Sequence, residues 1–277
     1  MPGPTTLLIG AVSGGLVAAA AWRLLHSRLL ALLAAVFFLS SPTVLSCFAA
    51  DTRLVAAMLV PVAWLLAMLV ALERTDAAAA VAAGVIAGLG MYVRPASLIT
   101  MPLLAAAGVA AILLRQPRPL ALRQVVWLTA SFMVVATPMA IGLISQPSRL
   151  TEMILGYGLY DASRYNVLQG MREMFSWVGL VARSEAYWNY FDPAVWFFAD
   201  SRMFLAPLAV PVALGVYHLV VPITPPSWLV ISGLAVAAVP HMLMARPIDQ
   251  SRLLIAAPFV ALVAAVGVAS VARAVRR

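Results

Sequence analysis

Residues 203–245 read MFLAPLAVPVALGVYHLVVPITPPSWLVISGLAVAAVPHMLMA and contain no Asp, Glu, Lys or Arg. A helix needs about 20 apolar residues to cross the hydrocarbon core of a bilayer, so this run is too long for one crossing and long enough for two. Pro222, Pro225 and Pro226 fall near its middle, where missing amide donors end a helix and favour a turn. The stretch predicts a pair of membrane helices near 203–221 and 227–245.

Similar charge-poor windows fill most of the chain, near 5–22, 29–48, 54–72, 77–93, 96–114, 124–145 and 253–272. Together they predict an all-α integral membrane protein of about nine transmembrane helices. Composition agrees: 64% of the 277 residues are hydrophobic and 10% are charged, against about 45–50% and about 25% in soluble domains. A soluble fold could not hide so much apolar surface. The net charge of +8 does not point to nucleic acid, because the Arg residues sit singly between apolar runs and form no patch interleaved with aromatics. Cys47 is the only cysteine, so the chain can build neither an internal disulfide nor a cysteine metal site. His26, His218 and His241 are too scattered to predict a metal centre. There is no P-loop, dinucleotide fingerprint or serine nucleophile elbow. The stretch from Met1 to Ala21 is uncharged and lacks the basic start of a signal peptide, so it is expected to stay as a membrane helix.

Orientation follows from the short loops, because cytoplasmic loops retain positive charge. With the N-terminus outside, Arg23, Arg28, Arg74, Arg115, Arg118, Arg123, Arg273, Arg276 and Arg277 lie inside, and Arg53, Arg94, Arg246 and Arg252 lie in short outer loops. This bias predicts three regions: helices one to six over 1–145, a long extracytoplasmic loop over 146–202, and helices seven to nine over 203–277. The loop holds 12 of the 24 Phe, Trp and Tyr residues, a concentration that marks it as a membrane-interface or binding segment. Within it Val167, Leu168, Met171, Met174, Phe175, Val178 and Ala182 recur at helical spacing, which predicts an amphipathic helix on the outer membrane face. Gly10 with Gly14, and Gly84 with Gly88, predict helix faces that pack closely.

Polar groups near membrane depth are expensive and so draw functional attention. Asp51 opens the third window, where its carboxylate suits either a helix cap or a catalytic role. Arg94, before Pro95, suits either bidentate binding of a phosphate ester or an interfacial anchor. Arg252 suits phosphate binding or pairing with Asp249. The stretch from Glu185 through Tyr187, Trp188, Asn189, Tyr190 and Phe191 to Asp192 and Pro193 suits sugar stacking and an interfacial belt equally.

Four of these stretches, taken in order, give the chain a familiar look. They are Ser41-Pro42 followed by Asp51-Thr52-Arg53; Gly84 to Gly88, Gly90, Tyr92 and Arg94-Pro95; Tyr187 to Pro193 with Trp196, Phe197 and Phe198; and Arg252 heading a helix that contains Pro258. In this pattern the chain resembles the GT-C superfamily of membrane glycosyltransferases, which includes protein mannosyltransferases and aminoarabinose transferases. The likeness runs over nearly the whole chain, with each motif loose by itself. It implies transfer of a sugar from a polyprenyl-phosphate donor to a lipid, glycan or protein acceptor on the extracytoplasmic face. It also implies Asp51 as the catalytic acid, with Arg53, Tyr92, Arg94, Glu185, Tyr187, Trp188, Tyr190 and Arg252 as substrate contacts. The membrane would be the plasma or inner membrane of a bacterium, and the partners the polyprenyl-phosphate-linked donor and membrane lipid, with no nucleic acid and the oligomeric state left open. No cofactor is demanded, a divalent cation being left open. Family members begin one helix earlier and carry an essential acid in the loop after it, so the resemblance implies an N-terminally shortened chain.

Two other classes compete. A transporter would place polar groups or broken helices at mid-membrane in two repeated halves, whereas here they gather toward one side and neither half repeats the other. A non-catalytic membrane scaffold would keep the helices without the family's first acid.

Overall fold

The computed structural model describes residues 4–50, 52–74, 76–94, 96–115, 117–145, 169, 172, 176–198, 203–243 and 254–275. Among them the fold is all-helical and has no strand. In chain order the helices are α1 (Pro4–Leu25), α2 (Arg28–Leu39), α3 (Pro42–Ala50), α4 (Thr52–Arg74), α5 (Ala77–Gly90), α6 (Ser97–Arg115), α7 (Arg118–Ser145), α8 (Trp177–Asn189), α9 (Ala209–Val220), α10 (Pro225–Leu243) and α11 (Ala257–Val275). A π-helical turn, Ala194–Phe198, and a 3-10 turn, Ala206–Leu208, lie between α8 and α9.

Every apolar window of the sequence is occupied by helix, but the helices are unequal. Among the described residues four are long and apolar enough to cross a membrane: Leu7–Leu25, Ser97–Arg115, Pro119–Ser145 and Ala257–Val275. A fifth crossing is formed if α2 and α3, bent by 63° at a short break, act as one. The window at 29–48 was expected to be one continuous helix, and Pro42 explains the break, since it has no amide hydrogen to continue the α2 ladder. At the break the Ser41 hydroxyl donates to the Met203 carbonyl, tying the bend to the start of the next long apolar run. Helix α5 has 14 residues and α9 has 12. At about 1.5 Å per residue these span only about 18–21 Å, less than the hydrocarbon core of about 30 Å.

A second departure concerns the amphipathic helix expected over 167–182. Ser176 has an extended backbone, and its hydroxyl accepts a hydrogen bond from the Gly179 N–H at 3.1 Å, so a new helix starts at Trp177 inside that window. An N-cap satisfies an otherwise orphaned amide and here outweighs the apolar periodicity. Most of the residues before Ser176 in that window lie outside the described residues.

The bundle is centred on α11. Thirteen of its residues, Ala257 to Ser270 with few gaps, are buried, and it packs against α1, α2, α4, α9 and α10. A helix that is apolar on all sides belongs in such a place. Its contact with α9 is a backbone-to-backbone crossing: a Cβ on Gly215 would overlap the Val263 carbonyl, and one on Gly267 would overlap the Pro211 carbonyl. The expected glycine face on α5 meets α7 in the same manner, with Gly84 against Ser131 and the Leu128 carbonyl and Gly88 against Val135. Gly10 and Gly14 on α1 likewise admit the Phe48 ring and the Leu39 side chain.

The turns sort into two ends. At one end Arg23 pairs with Glu73, and the Gln124 side-chain amide donates to the carbonyls of Ala71 and Asp76 at 3.1 and 3.3 Å. These bonds gather the end of α1, the α4–α5 turn and the start of α7. The α1–α2 turn, the α9–α10 turn and the end of α11 share a cavity at this same end. At the opposite end Tyr92 donates to the Val135 carbonyl at 2.8 Å, and the aromatic segment after α8 packs against α10. Arg23, Arg28, Arg74, Arg115, Arg123 and Arg273 therefore share one end and Arg94 lies at the other.

The glycine crossings yield a prediction for the purified protein in detergent. Gly267→Leu and Gly84→Leu should each lower stability by about 3 kcal/mol, the upper part of the range for overpacked cores. Gly15→Leu and Gly142→Leu, at exposed positions where an added Cβ would meet no neighbour within 4 Å, should stay within about 0.5 kcal/mol. Thermal unfolding of the four variants separates close packing from a general aversion to larger residues.

Candidate functional site

The segment after Ser176 builds the most distinctive site on the described surface. Helix α8 ends in Tyr187, Trp188 and Asn189, and the chain then turns through Tyr190, Phe191 and Asp192. The Asp192 carboxylate accepts from the Ala194 N–H at 2.8 Å, which closes the turn and launches the π-helical residues Ala194–Phe198. The Trp196 indole donates to the Tyr190 carbonyl, and the Phe204 N–H donates to the Trp196 carbonyl at 2.8 Å. Both ends of the segment are thereby fastened.

The rings interlock in edge-to-face and tilted pairs. Tyr187 and Phe191 lie 5.4 Å apart, Phe191 and Trp196 5.8 Å, and Trp196 and Phe197 6.2 Å between centroids, within the range where aromatic quadrupoles attract. Tyr190 is completely buried, 5.9 Å from the His241 ring, and its phenol oxygen accepts a hydrogen bond from the Ala256 backbone. Burial pushes the Tyr190 phenol well above its ordinary ionisation range, and the Tyr187 phenol up as well. Burial also holds the nearby Arg183 guanidinium below its usual value. Exposed Trp188 and Phe198, at 68% and 63%, project outward as interfacial anchors would.

Between this segment and helices α9 and α10 lies a cavity of about 530 Å³. Tyr187, Trp188, Phe191, Trp196 and Phe197 form one wall. Ala209, Val212, Ala213 and Val216 of α9 and Ile231, Leu234 and Ala235 of α10 complete the lining, which is almost wholly apolar. The Tyr187 hydroxyl donates to the Ala235 carbonyl at 3.3 Å across its floor. Such a chamber has the size of a small-molecule site and the chemistry of a hydrocarbon one.

The residues expected to contact substrate fare differently. Tyr187 and Trp188 line the cavity, and Tyr190 supports it from within the core. Tyr92 is half-exposed, with its hydroxyl committed to Val135, and Arg94 is partly exposed, its carbonyl accepting from the Ser97 N–H at 2.9 Å. Glu185 is exposed on α8. None of Tyr92, Arg94 and Glu185 lines the cavity. Asp51 and Arg252 lie outside the described residues, as does the side chain of Arg53. Among the described residues no three His, Cys, Asp or Glu side chains lie close enough to hold a metal ion. The contribution of α9 and α10 was not anticipated; only the small residues Ala209, Ala213 and Ala235 facing the rings hint at it.

Tyr190→Phe should cost about 1–3 kcal/mol in thermal unfolding, because it leaves the buried Ala256 backbone donor without its acceptor. Trp188→Ala, at an exposed ring, should change stability by no more than about 0.5 kcal/mol. Equal losses in the two variants would show that the cluster is held by something other than its buried polar contacts.

Comparison with known protein families, with curated proteins and with solved structures finds no match to this chain.

Proposed function

We propose that this chain is a multi-pass membrane glycosyltransferase of the GT-C kind, using all nine apolar windows as crossings and presenting residues 146–202 on the extracytoplasmic side. It takes a sugar from a polyprenyl-phosphate carrier and passes it to a hydroxyl acceptor in or on a bacterial plasma or inner membrane. The observation that carries this reading is the coincidence of the apolar cavity with the aromatic stretch from Tyr187 to Phe198, one of the four stretches on which the family resemblance rests. A polyprenyl tail is a branched hydrocarbon, and a chamber walled by aromatic rings and by small side chains of α9 and α10 suits it. Arg94 belongs to the same end of the bundle, where a phosphate headgroup would lie.

In the proposed reaction the acceptor oxygen attacks the anomeric carbon and the bond from that carbon to the phosphate oxygen breaks. The departing polyprenyl phosphate keeps the bonding electrons, and the acceptor's proton passes to a carboxylate, a role assigned to Asp51. Arg94 and Arg252 are assigned to stabilise the charge that grows on the phosphate, with Arg53, two positions after Asp51 in the sequence, assisting. Tyr187 and Trp188 guide the donor, Tyr92 and Tyr190 hold the surrounding backbone, and Glu185 lies at the outer rim.

The purified chain in lipid nanodiscs should release polyprenyl phosphate from at least one member of a panel of polyprenyl-phosphate hexoses and pentoses. Arg94→Ala should lower that release about a hundredfold or more, the scale for removing one transition-state donor, while the protein still inserts. Ala213→Trp, which fills the cavity, should abolish binding of polyprenyl phosphate itself. A chain that neither releases nor binds polyprenyl phosphate would end this reading.

A further inference from the structure

The opposite end of the bundle holds a second cavity, of about 610 Å³, that the sugar-transfer reading does not use. It lies where the α1–α2 turn, the α9–α10 turn and the last turns of α11 meet. Its lining is mixed. Arg273 and His218 supply cationic or hydrogen-bonding nitrogen, and Ser27, Thr224 and Ser227 supply hydroxyls. Leu29, Leu30 and Val221 provide apolar wall, and among the described residues no carboxylate lines it. The Arg273 Nε donates to the Ala269 carbonyl at 3.2 Å, which fixes the root of the guanidinium at the rim. Ser27 precedes α2 without capping it. Two large apolar residues of the lining open to the outside, Leu29 at 69% and Val221 at 56% exposure.

We propose that this cavity is a binding site for one anionic phospholipid. Its phosphate sits against Arg273 and His218, and its acyl chains run out along Leu29 and Val221. Three observations converge on that occupant. The cavity is large enough for a headgroup and not merely an ion. Among the described residues its cationic side faces no carboxylate, so an anion is the ligand that neutralises it. Its apolar side opens toward the outer surface of helices read as membrane-spanning, so a free anion would leave that surface uncovered whereas a lipid covers both. This end also collects Arg23, Arg28, Arg74, Arg115 and Arg123, a field that concentrates anionic lipid around it. The site is independent of sugar transfer, and binding at it is read without any enzymatic assay.

The test uses the full chain in a neutral detergent, with dioleoylphosphatidylglycerol, dioleoylphosphatidylcholine and inorganic phosphate as separate probes. Native mass spectrometry should show one phosphatidylglycerol retained per chain, and that lipid should raise the thermal midpoint while phosphatidylcholine and inorganic phosphate do not. Arg273→Gln should weaken phosphatidylglycerol binding roughly fivefold, the loss expected for one cation at a membrane surface. Ala272→Trp, placed on an exposed residue of the cavity wall, should block binding by volume with every charge intact. Equal retention of phosphatidylcholine by the unaltered chain would overturn the proposal, as would an equal shift with inorganic phosphate, which would make the ligand a free anion. Unchanged phosphatidylglycerol binding in both folded variants would also overturn it. If either variant fails to fold, the comparison of probes on the unaltered chain decides the matter by itself.

Discussion

Two glycines let α9 and α11 touch backbone to backbone, with Gly215 against the Val263 carbonyl and Gly267 against the Pro211 carbonyl. In lipid the hydrophobic effect does not drive one helix onto another, because hydrocarbon tails are as apolar as leucine. Close packing must supply the attraction instead, and small residues allow the closest approach. Helix α11 is the element that benefits most, since it is apolar on every face and five other helices cover it. Once α9 is drawn against α11, the short α9–α10 turn returns the chain alongside them, and α10 becomes the wall on which the aromatic segment rests.

The same crossing joins the two ends of the molecule. One end is held by polar bonds that need no aromatic rings: Arg23 with Glu73, and Gln124 with the carbonyls of the α4–α5 turn. The ion pair is partly exposed, so its net contribution is at most about 1 kcal/mol and its main effect is to choose which helix ends meet. The other end is held by rings and by backbone acceptors, with Tyr92 on Val135, Trp196 on Tyr190 and Tyr187 on Ala235. Long amphipathic side chains suit the first end and rigid ones the second. Among the described residues this division goes with a cavity of mixed polarity at the first end and an almost purely apolar one toward the second.

The aromatic segment shows how one stretch can serve structure and surface together. Tyr190, Trp196 and Phe197 are buried and fix the path of the chain, whereas Trp188 and Phe198 stand outward. An interfacial belt would leave all of the rings at the surface, and a plain core would hide them all. The observed division leaves Tyr187, Trp188 and Phe191 as a rigid lip over a chamber that small residues of α9 keep open.

The sequence by itself determined that the protein is all-helical and apolar enough for a membrane, which windows the helices fill, which end carries the arginines and which stretch carries the rings. These features follow from local composition, because a peptide group in hydrocarbon must bond within its own helix and twenty apolar residues in a row permit little else. The close faces at Gly84 and Gly88 were legible for the same local reason. The break between α2 and α3 and the helix start at Trp177 turned on single residues, Pro42 and Ser176, whose effects the broader periodicity masked. Only the tertiary structure decided that Gly215 meets the α11 backbone, that Tyr190 is a core residue while its neighbour Trp188 is exposed, and that both cavities are closed by helices distant in sequence. Each of these depends on how helices rotate and cross, and crossing is set by pairwise packing that no single segment encodes.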